Sequence, residues 1–151
     1  MAVVNKEALY NLRFILLIIF LVVIDLVSKS IAINNLLFGE SSTTLLPFID
    51  ILLIYNSGIA FGIFDNSGML ASNILLLLTF LILFYLIWMI IYEPQKNKKY
   101  SLSIITAGAL GNIIDRVIDG QVTDFLHLEI LNFSFFIFNF ADAFITIGAL
   151  L

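Results

Sequence analysis

The stretch NIIDRVIDGQVTDF, Asn112–Phe125, crowds three aspartates and an arginine together, and another aspartate follows in NFADAF. They sit in a chain of 151 residues of which 62% are hydrophobic and only 12% charged. Two carboxylates held at close range do not both ionise, so one keeps a proton while the other acts as base. Such a pair activates a water with one member and protonates a leaving amine with the other, which is what peptide hydrolysis requires. Asp124, in QVTDF, and Asp142, in NFADAF, are the candidates. The competing reading is two helix-end aspartates, Asp142 being placed near a helix N-terminus by the dipole.

Other chemistries find less support. Cysteine is absent, which removes disulfides, thiolate nucleophiles and thiolate-bound metal together. His127 is the sole histidine, has no HExxH or metal-spaced cluster beside it, and reads as an interfacial side chain. No metal and no cofactor is therefore expected, and chelators are expected to leave activity unchanged. A serine–lysine nucleophile would need Lys29 beside a serine, but its neighbour Ser28 points elsewhere on a helix. No basic stripe suggests nucleic acid as a partner.

The elements that must position these groups are membrane helices. A bilayer core of ~30 Å needs about 20 apolar residues in a helix. Runs at about 14–33, 69–92 and 101–118 come close to or exceed that length, and a fourth follows at 135–151. The first run carries Asp25 and Lys29 and lacks an A-x-A site, so it reads as a retained helix rather than a cleaved signal peptide. The fourth reaches only about 25 Å at ~1.5 Å per residue, so it either just spans or is cut short at its C-terminus.

Lys6 and Arg13 precede the first run, and Lys96, Lys98 and Lys99 lie in the link 93–100. The positive-inside rule makes both regions cytoplasmic, with both termini inside. Segments 35–68 and 119–134 contain no Lys or Arg and belong outside. The expectation is a single all-α membrane domain over 1–151, with four transmembrane helices and a small β-rich periplasmic shelf between helices 1 and 2. The shelf is read from SSTTLLPFIDILLIYNSGIAFGIF, where β-branched and aromatic residues replace any helical stripe.

Ionisable groups inside a span cost about 2.5 to 3.5 kcal/mol on insertion scales, so each requires a partner or a purpose. Asp25 and Lys29 are four apart with acid before base, the favourable order for an ion pair on one helix face. It is read either as a structural pair or as a contact to substrate or shelf. Gly108, Asn112 and Arg116 share one face of the third helix, with Asp115 beside Arg116, as packing glue or as part of a site. A non-enzymatic transport or proton-conducting bundle is the alternative of a different class. Such a path needs polar residues at successive depths on several helices, and the second run offers almost none below Asn73.

Five motifs in order resemble the lipoprotein signal peptidases (signal peptidase II), which are bacterial membrane aspartyl proteases. They are DLVSK (Asp25–Lys29), NSGIAF (Asn56–Phe61), GALGNIIDR (Gly108–Arg116), VTDF (Val122–Phe125) and FNFAD (Phe138–Asp142). The resemblance implies that Asp124 and Asp142 are a catalytic dyad. It makes Asp115 a supporting residue and Asp119 a solvent-facing turn residue. It also implies that Asn112, Arg116 and Asn139 hold the dyad or the substrate backbone. Asp25, Lys29, Asn56, Gly58, Ala60, Phe61, Gly108 and Ala141 complete the implied substrate-binding or supporting set. The implied substrate is a diacylglyceryl-modified prolipoprotein cut before its lipidated cysteine at the periplasmic face of the inner membrane. The implied partners are membrane lipids, and the enzyme is expected to be a monomer. Tyr55 stands where relatives often carry a basic residue, and Ile59 where alanine is usual, so contacts in that loop are expected to differ.

Overall fold

A computed structural model describes residues 6–44, 47–57, 68–131 and 133–151. Among the described residues four helices run in chain order: α1 (Lys6–Asn35), α2 (Gly68–Tyr92), α3 (Lys96–Asp119) and α4 (Phe140–Leu150). Three of them contain spans long and apolar enough to cross a membrane, at Asn11–Asn35, Asn73–Tyr92 and Lys96–Asp119. The third is the central one, since 56% of its span is buried against 17% and 11% for the first two. The outer faces of α1 and α2 carry exposed Ile19, Phe20, Val27, Ile31, Leu77, Phe84 and Trp88, the surface an apolar solvent requires.

Local sequence sets the helix ends. The side-chain amides of Asn34 and Asn35 donate back to the carbonyls of Ser30 and Ile31 at 2.7 Å, local bonds that compete with continuation of α1. Pro94 stops the chain between α2 and α3, and Gln95 N–H turns onto Glu93 Oε1 at 2.8 Å before α3 begins. Gly120, with φ of 72°, caps α3 by donating its N–H to the Arg116 carbonyl, and Asp119 beside it is exposed.

The polar connections form one antiparallel sheet of order β1-β2-β3-β4: Ser41–Ser42, Ile49–Asn56, Val122–Ile130 and Phe133–Phe138. The sheet is thus larger than the expected shelf, because the segment after α3 contributes β3 and β4. The pairing Ile49↔Leu128 through Asn56↔Val122 joins strands from the two connections, with a bulge between Ile51 and Ile54. Buried Leu53 of β2, Phe125 of β3 and Ala32 of α1 form the core that seats the sheet on the bundle.

The expected fourth helix over 135–151 begins late, because residues 135–138 are strand. Phe133–Phe138 pairs with β3 from Ile130↔Phe133 to Leu126↔Phe138, which satisfies its backbone in the sheet. Asn139 then starts α4 as N-cap, and the capping box with Asp142 fixes the boundary at Phe140. A run of apolar letters alone does not separate a strand from the helix that follows it. His127, expected at an interface, is 6% exposed within the sheet.

Candidate active site

The site is assembled where α1, α3, β2, β3 and the start of α4 converge. Small residues permit the approach of α3 to α4. A Cβ on Gly108 would run into the Ala141 carbonyl, and one on Gly111 would meet the Asp25 carboxylate and the Ala141 methyl. The buried acid Asp25 therefore lies flat against the α3 backbone. Its Oδ1 accepts the Ala141 N–H at 2.8 Å, tying α1 to the first turn of α4.

Lys29 is the cation at the centre. Its Nζ lies 2.8 Å from Asp25 Oδ2 and 3.0 Å from Asp115 Oδ2, with almost no exposed side-chain surface. It also donates to Asn112 Oδ1 at 3.0 Å. Two carboxylates around one ammonium keep a buried ionic group compensated, whereas any member left alone would be strongly destabilising. Asp115 Oδ2 additionally accepts the Thr123 N–H at 3.0 Å, which docks the start of β3 on α3. Asp115 thus turns to Lys29 and β3, not only toward its sequence neighbour Arg116.

The amide of Asn112 is oriented by that cation. With its oxygen held by Lys29, its Nδ2 faces outward and donates to Asp142 Oδ1 at 2.8 Å. Asn139, fully buried, is the second connector. Its Nδ2 reaches Asp124 Oδ1 at 2.6 Å, with longer contacts to Asn112 Oδ1 at 3.2 Å and the Thr123 carbonyl at 3.3 Å. Its Oδ1 accepts the Asp142 N–H at 3.0 Å, and its own N–H points to Asp142 Oδ2 at 3.3 Å. One asparagine thereby holds Asp124 from its side chain and Asp142 as a helix cap.

Asp124 is buried on β3, and its second oxygen accepts Asn56 Nδ2 at 2.9 Å. Asn56 is the diagonal cross-strand neighbour of Asp124, two residues beyond its register partner Ile54, so both side chains lie on one sheet face. Burial raises the Asp124 carboxyl from its ordinary 3.8 to about 6, and the nearby Asp142 charge adds to the rise; the Asn56 and Asn139 amides and Lys29 oppose it. Asp142 is less buried and sits at the third position of α4, where the helix N-terminus favours negative charge. Arg116 faces Asp142, Asp124 and Asp115 electrostatically, and its Nε is buried without a hydrogen-bond partner.

The structure therefore gathers Asp25, Lys29, Asn56, Gly108, Asn112, Asp115, Arg116, Asp124, Asn139, Ala141 and Asp142. Gly58, Ala60 and Phe61 lie outside the described residues. Two contributors were not singled out from sequence. Thr123 acts through its backbone, which no side-chain pattern reveals. Gly111 had a signal in its GxxG spacing from Gly108.

The family model described as signal peptidase (SPase) II matches residues 17–151. A lipoprotein signal peptidase of Pelagibacter ubique is 37% identical over 146 residues, spanning 95% of this chain and 87% of that protein. One from Staphylococcus aureus is 37% identical over 139 residues, spanning 91% and 83%. Two solved structures, described as bacterial membrane enzymes determined by the in meso method, superpose with a TM-score of 0.78. They are 34% and 36% identical, cover 91% of this chain, and are themselves covered to 83% and 88%. On these grounds the chain belongs to the signal peptidase II family of membrane proteases, Peptidase_A8.

Proposed function

We propose that Asp124 and Asp142 are the catalytic pair of an aspartyl endopeptidase that frees diacylglyceryl-modified prolipoproteins of their signal peptides. Removal of signal peptides is the activity of the family, and the lipidated substrate follows from relatives named lipoprotein signal peptidases. The observation that carries the residue assignment is the Asn139 connector, whose side-chain amide donates to the Asp124 carboxylate and whose backbone N–H points to the Asp142 carboxylate. In this reading the more buried Asp124 holds the proton below its raised value of about 6, and Asp142 is the base. Asp142 takes a proton from water as its oxygen adds to the scissile carbonyl carbon. Asp124 gives its proton to the cysteine nitrogen as the C–N bond breaks.

The same proposal keeps the four-helix arrangement in one domain, with both termini cytoplasmic and a monomer in the inner membrane; α4, with eleven residues and about 16 Å, is its short member. The sheet lies at the periplasmic face, where the substrate arrives laterally with its lipid still in the bilayer. Exposed Phe133, Phe135, Phe136 and Leu131 suit such an interface. A conducting bundle is not favoured, because the polar residues named above cluster around one site instead of continuing through α2. The test is mass spectrometry of a diacylglyceryl prolipoprotein peptide incubated with the protein in detergent. Cleavage immediately before the lipidated cysteine, and none of the unlipidated peptide, is expected. Equal cleavage of both peptides would refute the substrate assignment.

A further inference from the structure

On the sheet, Asp50, His127 and Glu129 are brought together by register. Asp50 of β2 is the Cα partner of His127 on β3, and Glu129 follows two residues on, so the three share a face. Alternation along β3 puts this face opposite to that of Asp124. One donor atom from each lies within 4.8 Å of the others. In sequence, Asp50 is remote from His127, which is why the histidine reads as isolated there.

The histidine is built like a ligand. Its side chain is 8% exposed, and its Nε2 lies 2.7 Å from Ser134 Oγ on β4. That leaves Nδ1 buried with no hydrogen-bond partner, 3.8 Å from Glu129 Oε2. A metal-bound imidazole commonly donates its other N–H to an oriented acceptor in this way. Thr44 N–H points to Asp50 Oδ1 at 3.4 Å, and the backbone of Glu129 is held by its N–H donating to the Phe48 carbonyl at 2.9 Å. With Nε2 engaged by Ser134, Nδ1 is the ring nitrogen left to take a ligand on the side of Glu129.

We propose that Asp50, His127 and Glu129 form a structural site for a divalent transition metal, with Zn2+ as the best-matched ion and water completing the coordination. Bonds of about 2.0–2.2 Å place tetrahedral ligands about 3.4 Å apart, so the present separations close by small side-chain rotations, chiefly of the half-exposed Glu129. One imidazole with two carboxylates suits zinc better than calcium or magnesium, which take all-oxygen sets. Bound there, the ion clamps β2 to β3, the strands that carry Asn56 and Asp124, without touching the reacting groups.

The test uses untagged protein in detergent, stripped with EDTA, desalted and titrated with ZnCl2 by calorimetry, with thermal unfolding in parallel. Wild type should bind one Zn2+ per chain with a saturable rise in Tm. Glu129→Gln and His127→Gln should abolish the binding, and Ser134→Ala should weaken it about 10- to 100-fold by releasing the ring. Glu129→Gln carries the result if the buried His127 variant fails to fold. The proposal is overturned if wild type shows no saturable one-to-one binding, if Glu129→Gln binds as wild type does, or if CaCl2 binds equally well.

Discussion

Replacing Asp124 by asparagine removes a carboxylate whose burial works against its charge. With the carboxyl raised from 3.8 to about 6, the folded protein near pH 7 carries an ionised group that it would hold more favourably protonated. At roughly 1.4 kcal/mol per pH unit, that interval corresponds to about 3 kcal/mol. Asparagine keeps the acceptor toward Asn139 but presents an NH2 to Asn56 Nδ2, which forfeits about 1 kcal/mol of hydrogen bonding. The net expectation is a variant about 2 kcal/mol more stable than wild type near pH 7, a rise in Tm on the order of 5 °C. The sign follows from linkage: a raised folded-state value gives stability that is present below about pH 4 and lost as pH climbs through about 6. The advantage of the variant should therefore vanish near pH 4, grow to about pH 6 and then level off. Thermal unfolding of both proteins in one detergent across this range measures it. A variant less stable than wild type at every pH would refute the claim that burial dominates at Asp124.

Lys29→Met should destabilise the protein by about 3 to 5 kcal/mol, because Asp25 and Asp115 are left buried without their cation; yield and Tm in detergent report it. Near-normal stability would show the ionic cluster to be dispensable. Gly111→Ala should lower Tm and turnover together, since the new methyl displaces the Asp25 carboxylate from the α3–α4 contact; unchanged Tm would contradict that close approach. The pH profile of kcat/KM should fall on the alkaline side with an apparent value of about 6, the protonated member of the pair being lost there. A profile flat from pH 5 to 8 would remove Asp124 as the resting acid. Brief chelation, assayed well below the Tm of the metal-free protein, should leave turnover unchanged because the proposed metal site lies on the sheet face opposite Asp124. Complete loss restored by zinc would overturn the aspartyl assignment.

Much of the site was legible because its residues are costly in lipid. Asp25, Lys29, Asn112, Asp115 and Arg116 stand out in apolar runs, and helical spacing alone pairs Asp25 with Lys29, as observed at 2.8 Å. Gly108, one turn before Asn112, marks the close helix contact. Sequence did not expose the partners chosen across the fold. Asp115 bonding Lys29, Asn112 reaching Asp142 and Asn139 joining both aspartates depend on tertiary approach, not on spacing. The strand β4 was hidden because FSFFIF is as apolar as the helix after it, and only the Asn139–Asp142 capping box divides the two. The burial of His127 was hidden for a related reason: register with β2, invisible from one strand, supplies its neighbours.

The most direct test of the central claim is cleavage of the diacylglyceryl prolipoprotein peptide by wild type, Asp124→Asn, Asp142→Asn and Asp115→Asn, each verified as folded. Loss of either dyad member should lower kcat by at least about a hundredfold, while Asp115→Asn retains measurable turnover with reduced stability. Full activity in a folded Asp124→Asn or Asp142→Asn variant would contradict the account.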